Sequence, residues 1–341
     1  MKNIAIFLII VFLSNFALAQ KDNNPWQKFR YELILGSGSS HFFGDLGGGS
    51  GVGGHFMSYK DLDWGTTQPA LQIGMRYKLM ERLAIKGQFT WGNIKGADDQ
   101  ATGSSRYGRN LSFKSNIFEL ATQAEFSFIK EYRGSRYITY KSLLMNLNMY
   151  VFGGIGAFHF NPMAQYDGKW YALQELGTEG QGIDENPAKY NKLSVCFPVG
   201  LGIKYFINKR ISLGLEVGNR YTLTDYIDDV SGSYYDNDAI RANYGDVAAE
   251  LADRRVGFDG TPLAPAPDGT PFRGNPQSSD SYFFMLFNVT YTYQKYTGAG
   301  LRLFSPKPGK KYQKRKQELM KELKEHQEDL KKDLNKYEKK R

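Results

Sequence analysis

The sequence predicts an all-β fold, an eight-stranded antiparallel transmembrane β-barrel followed by a C-terminal amphipathic α-helix. Three observations lead there. Aromatic residues make up 15% of the chain, with 23 Tyr, 23 Phe and 37 Gly, although the overall hydropathy is negative; membrane barrels carry such aromatics as girdles at both interfaces. Beyond the N-terminal segment, no stretch approaches the roughly 18 uninterrupted apolar residues of a membrane-spanning helix. Several segments instead alternate apolar and polar residues over about 9 to 11 positions, which is the length of a membrane strand and exceeds the usual globular strand of about 5 or 6.

The chain opens with Lys2, an apolar run from Ile4 to Leu13 and the small-residue site Ala17-Leu18-Ala19. This pattern predicts a secretory signal peptide over residues 1–19, cleaved before Gln20. No cysteine follows that site, so a lipid anchor is not expected. Residues 20–294 are then the barrel, and residues 295–341 a linker and charged helical tail.

Eight strands are expected. The first runs from about Phe29 to Ser40. In the second, Leu71, Ile73, Met75, Tyr77 and Leu79 alternate with Gln72, Gly74, Arg76 and Lys78; in the third, Leu83, Ile85, Phe89 and Trp91 alternate with Ala84, Lys86, Gln88 and Thr90. The fourth sets Phe118, Leu120, Thr122, Ala124, Phe126 and Phe128 against Glu119, Ala121, Gln123, Glu125 and Ser127. The fifth, Leu147 to Phe160, is apolar on both faces, which leaves its register open. The sixth runs from Leu193 to Tyr205, the seventh and clearest from Ile211 to Thr224, and the eighth from Tyr282 to Tyr293.

Short connections follow strands two, four and six, the middle one longest at about Glu131 to Asn146. Long ones run roughly from Phe43 to Gln68, Gly96 to Leu111, Asn161 to Asn191 and Ile227 to Asp280. Outer-membrane barrels have short periplasmic turns and long extracellular loops. The expected setting is therefore the outer membrane, with both termini periplasmic and the long loops extracellular.

If the apolar faces meet lipid, the charges facing inward are Glu32, Arg76, Lys78, Lys86, Glu119, Glu125, Lys204, Glu216 and Arg220, four acids against five bases. An eight-stranded barrel is only wide enough for side chains to fill. These groups should pair off as a packed polar core, not line a pore.

Other chemistry has little support in the sequence. His41 and His159 could lie near the outer rim, with Ser39, Ser40 and Asp45 close by in sequence, but nothing in their spacing enforces hydrogen-bond reach. No catalytic role, cofactor or small-molecule substrate is expected. No His or Cys cluster has metal-ligand spacing. Nine acids from Asp228 to Asp268 face Arg241, Arg254, Arg255 and Arg273 in the last long loop, a net of −5. Oxygen-rich loops can take up calcium, yet the spacing fits no EF-hand, and a solvated acidic loop is expected, with an extended Pro262-to-Pro267 stretch. The loop from Gly47 to Gly54 lacks the Lys and helix of a phosphate-cradling motif. The single cysteine, Cys196, excludes an internal disulfide framework and suits a small buried side chain.

Of the net charge of +9, +7 lies between Ser305 and Arg341, where 14 Lys or Arg meet 7 Asp or Glu. A basic excess confined to a glutamate-rich segment of an exported chain argues against a nucleic-acid partner. Within this tail, after Ser305-Pro306-Lys307-Pro308-Gly309, the residues Leu319, Leu323, His326, Leu330, Leu334 and Tyr337 recur every three or four positions. That period predicts an amphipathic helix, and the stripe of Leu319, Leu323, Leu330, Leu334 and Tyr337 is a candidate partner-binding face.

Four strings are more specific: Ser40-His41-Phe42-Phe43-Gly44-Asp45-Leu46, Tyr150 through Pro162 (YVFGGIGAFHFNP), Leu176-Gly177-Thr178-Glu179-Gly180-Gln181-Gly182 and Thr224 through Gly232 (TDYIDDVSG). In these strings the chain resembles the PorG family of outer-membrane proteins, part of the type IX secretion apparatus of Bacteroidota, over roughly Phe29 to Tyr293. The resemblance implies a non-enzymatic barrel that lies in outer-membrane lipid and is attached to the periplasmic ring and translocon subunits of that machine. The long acidic loop and the charged tail exceed the usual family pattern. A surface adhesin or envelope-stabilising barrel is the alternative, and a lipid-modifying barrel enzyme a more distant one.

Overall fold

In the computed structural model the chain divides into two units, Met1–Gln294 and Lys295–Arg341. The structure describes residues 25–46, 64–100, 108–129, 131, 146–183, 188–256, 273–293 and 321. The predicted signal peptide, the Gly47-to-Gly54 loop, the Pro262-to-Pro267 stretch and the five residues of the tail stripe lie outside them.

Among the described residues there are ten strands. They are β1 (Tyr31–Phe43), β2 (Gln68–Lys78), β3 (Leu83–Ala97), β4 (Ser112–Ser127), β5 (Leu147–His159), β6 (Pro162–Tyr166), β7 (Lys169–Ala172), β8 (Leu193–Phe206), β9 (Ile211–Thr222) and β10 (Ser281–Tyr293). Eight of them close into an antiparallel barrel in the order β1-β2-β3-β4-β5-β8-β9-β10, with β10 returning to pair with β1. The remaining two form a hairpin that adds to the rim through β6 pairing with β4. Closure satisfies every barrel edge, which is what permits a sheet to sit in hydrocarbon. Among the described residues, no helix is long and apolar enough to cross a membrane, although that says nothing about crossing by strands.

Burial reverses what a soluble barrel would show. Leu120 is 67% exposed, Phe287 63% and Leu201 56%, whereas Glu32, Lys86 and Glu119 are fully buried. Apolar faces point out and charged faces point in, the arrangement of a transmembrane barrel.

The strands extend beyond the expected bounds, and the excess has a cause. The expected third strand ends at Trp91 and the expected fourth begins at Phe118, and these two residues face each other across β3 and β4. Past that level the alternation inverts. Asn93, Lys95, Lys114 and Asn116 point outward, while Ile94, Phe113 and Ile117 are buried inside. A rule that puts every apolar face outside stops at the inversion. Inside this upper part, Phe42, Ile94, Phe113, Phe158, Phe160, Tyr282 and Phe284 form an ordinary hydrophobic core.

Strand β5, whose two faces look alike in sequence, is set by its neighbours. Tyr150, Phe152 and Phe158 are buried in the lumen and Met149 and Ile155 point out. Room for the first comes from glycine, because a Cβ at Gly202 would collide with the Tyr150 ring.

The long connections are not plain loops. Their described residues carry the β6–β7 hairpin and the helices α1 (Leu173–Leu176), α2 (Asn237–Tyr244) and α3 (Asp246–Ala252). Helix α2 is capped by Asp236, whose side chain accepts from the Asp238 amide. A small core of Ile183, Ile240, Ala248, Ala249 and Ala252 packs α2 and α3 together. The expectation of a solvated acidic loop holds for Asp236, Asp238, Asp246 and Glu250, which are exposed, and is corrected for Asp228 and Asp229, both 0% exposed because they are hydrogen-bonded into a cap over the barrel mouth.

Candidate functional site in the lumen and at its mouth

All nine inward charges of the sequence reading are buried inside the barrel, and strand register brings them together. Glu32 on β1 stands opposite Arg76 on β2, and Arg76 opposite Lys86 on β3. Arg76 reaches Glu32 at 2.7 Å and holds Glu125 with two nitrogens of its guanidinium. Lys78 and Lys204 flank Glu32 at 3.3 and 3.7 Å. Lys86 pairs with Glu216 at 2.6 Å and approaches Glu125 at 3.8 Å, and the Tyr150 hydroxyl donates to Glu216 at 3.0 Å. One level higher, Glu119 accepts from Arg220 at 3.2 Å, from the Tyr282 hydroxyl at 3.0 Å and from Gln88 at 3.2 Å. Cys196 is fully buried beside Glu119.

Sequence reasoning missed one member. Glu131 lies past the end of β4, yet it turns in to pair with Lys78 and with Lys204, the latter at 2.7 Å. It supplies a fifth acid against the five bases, so the lumen network is neutral. The signal available in the sequence was the inequality itself, since an unpaired charge buried in a barrel is costly.

Above the aromatic core the mouth is closed by a cap built on two buried arginines. Arg109 grips Asp98 through two bonds, at 2.7 and 2.9 Å, and donates to the backbone carbonyls of Asp45 and Arg273. Arg273 in turn reaches Glu179 and the Asp229 carbonyl, both at 2.7 Å. Glu179 accepts from the Ser231 and Gly232 amides, and Asp229 accepts from Thr178 at 2.5 Å and Tyr190 at 2.6 Å. Asp229 holds a left-handed backbone at φ 68°, a conformation that Asp tolerates better than most residues. Asp228 accepts the Leu46 amide, Asp280 the Ile227 amide and Asp45 the Asn275 amide. Three of the four strings behind the family resemblance, distant in sequence, contribute residues here, Asp45 and Leu46, Thr178 and Glu179, and Asp228 and Asp229, while the fourth supplies Phe158 and Phe160 to the aromatic core beneath.

These carboxylates are poor in cations. Burial pushes Asp225 up to about 7, with the Ser231 hydroxyl opposing and Asp45 and Glu179 adding. Burial likewise raises Asp229 to about 6 against the pull of Arg273. Asp228 and Asp280 stand well above the ordinary carboxylate range, through burial first and then neighbouring carboxylates. Because the docked-state values exceed those of the open chain, docking is favoured fully in acid and loses support as pH rises through about 6 to 7. Hydrogen exchange at the Leu46, Ile227 and Val230 amides, corrected for intrinsic rate, should therefore open more readily at alkaline than at mildly acidic pH. Asp225→Asn should flatten that dependence; an unchanged slope would show that the cap opens independently of these groups.

The other candidates separate. His41 is buried with its Nε2 3.3 Å from the Ser39 hydroxyl on the same strand, whereas His159 sits on the outer surface of β5 against Phe118. Ser40 turns inward and donates to the carbonyls of Gln68 and Asn93. Among the described residues, no three His, Cys, Asp or Glu side chains stand together as metal ligands.

A family model described as a domain of unknown function, DUF6089, matches residues 6–253. No curated relative matches the chain. Among solved structures, Neisserial surface protein A is similar at 7% identity and a TM-score of 0.35, over 77% of this chain and 97% of that one. OprG of Pseudomonas aeruginosa is similar at 7% and 0.32, over 78% and 98%, and outer membrane protein W of Escherichia coli at 12% and 0.28, over 78% and 99%. At such identity and overlap the likeness assigns neither ligand nor partner, and the barrel assignment stands on strand pairing and burial.

Proposed function

The chain belongs to the DUF6089 family, and from that premise we propose that it is an outer-membrane structural component of a protein-secretion machine of the type IX, gliding-associated kind. In this role the barrel anchors a periplasmic ring to the outer membrane, with the long loops outside, both termini in the periplasm and no catalytic activity. The observation that carries a structural role is the filled interior. Among the described residues a neutral ion-pair network, an aromatic core above it and an ordered cap fill the interior, which supports a molecule that acts through its surfaces. The secretion assignment is supported by the PorG-like strings, three of which meet in that cap while the fourth packs beneath it. An envelope or adhesin role is the second reading, favoured by the helices α2 and α3 displayed at the mouth.

The test is recovery of partners from cross-linked native membranes with the full-length protein as bait. Ring lipoproteins and translocon subunits are the expected capture, reduced several-fold by Leu323→Asp with Leu330→Asp, which interrupts the apolar stripe of the tail. Neutralising Lys331 and Lys332 should do less, since exposed charge pairs contribute little. Capture of extracellular ligands alone would reject the secretion role in favour of the adhesin.

A further inference from the structure

The outward face of β3 and β4 changes character in a fixed order toward the long-loop end. Phe89 stacks on Phe118 with ring centroids 6.5 Å apart, and Trp91 stands opposite Phe118. Next comes Asn93 paired with Asn116, joined by a side-chain hydrogen bond of 2.9 Å. Two residues further, Lys95 stands directly opposite Lys114. Aromatics mark the edge of the hydrocarbon, and the four residues from Trp91 to Lys95 of a tilted strand rise about 10 Å beyond it. That height is the headgroup layer.

Like charges directly opposite on one sheet face are destabilising unless something neutralises them. Among the described residues no protein group does. Neither Lys95 nor Lys114 makes an ion pair among the described residues; the Trp170 indole of the β6–β7 hairpin lies 4.0 Å from the Lys114 ammonium and covers one side of it without cancelling its charge. Among the described residues, the outward end positions of the other barrel strands, Ser39, Phe43, Pro69, His159, Leu193, Tyr221 and Phe283, include no Lys or Arg, and Lys192, next to Leu193, is paired with Glu175 at 3.8 Å.

We propose that Lys95 and Lys114, with Trp170, bind the phosphate of an anionic membrane lipid in the leaflet at the long-loop end. Two ammonium groups on adjacent strands suit a doubly coordinated phosphate oxygen set, and Trp170 supplies a flat surface for the adjoining glycerol or sugar. The site rests on the barrel alone and is independent of the secretion role.

The experiment reconstitutes full-length protein in nanodiscs of phosphatidylcholine with phosphatidylglycerol and counts co-retained lipid by native mass spectrometry. Wild type should retain phosphatidylglycerol over phosphatidylcholine. K95Q/K114Q should lose roughly thirtyfold of that preference, about fivefold for each ammonium near a charged surface. K95R/K114R should keep most of it, and Lys189→Gln, on the cap, should change nothing. If the double glutamine variant fails to fold, K95Q alone must still reduce retention about fivefold. Equal retention by wild type and folded glutamine variants would overturn the site. So would displacement of the lipid by millimolar inorganic phosphate, which would mark a site for free phosphate.

Discussion

Arg76→Met should lower the unfolding free energy of the barrel by about 3–5 kcal/mol, the usual cost of removing one partner from a buried ion pair. Arg76 is 1% exposed and ties β1 and β4 together through Glu32 and Glu125. Without it, Glu125 keeps only Lys86 at 3.8 Å, and Glu32 keeps Lys78 and Lys204 at 3.3 and 3.7 Å. Glu125 is then left undercompensated in a buried site. Adding Glu125→Gln should recover part of the loss, because it removes the stranded charge. Urea unfolding of the refolded protein in detergent micelles measures both. A loss below about 1 kcal/mol, the scale of a solvated ion pair, would mean that the lumen is wet.

Leu201→Arg should cost about 2–4 kcal/mol in lipid, the penalty for arginine near the bilayer midplane. Leu201 points outward from β8 between Val151 and Val217 and makes no contribution to the lumen. In a water-soluble barrel an exposed leucine would accept arginine freely. The two environments therefore predict opposite results, and the comparison with Leu201→Ile in the same lipid separates them. Equal stability of the two variants would place this face against water or protein.

What the sequence made legible follows from how far one rule extends. Alternation with the apolar face outward identifies the membrane-level parts of β1, β2, β3, β4, β8 and β9, and with them the nine inward charges. The same rule ends β3 six residues early, at Trp91, because from Asn93 onward the barrel wall faces water outside and its own core inside. Glu131 was hidden because it belongs to no strand, and only its ion pairs reveal which way it faces. The cap was hidden for a different reason. Its strings are rich in Gly and Asp, as mobile loops are, and their order comes from long-range bonds such as Arg273 to Glu179 and Leu46 to Asp228 that no local pattern encodes.

The inversion within β3 and β4 makes each strand obey two opposite residue alphabets. On β3, below the level of Trp91 and Phe118, polar replacements are tolerated at inward positions such as Gln88 and rejected at outward ones such as Phe89; above it, the fold accepts polar replacements at outward Lys95 and rejects them at inward Ile94. A saturation library scored for surface display would show tolerance switching phase partway along a single strand. The position of that switch, read strand by strand around the wall, would trace the waterline of the barrel from genetics alone, and any tilt of the molecule in its membrane would emerge as a slope in that line.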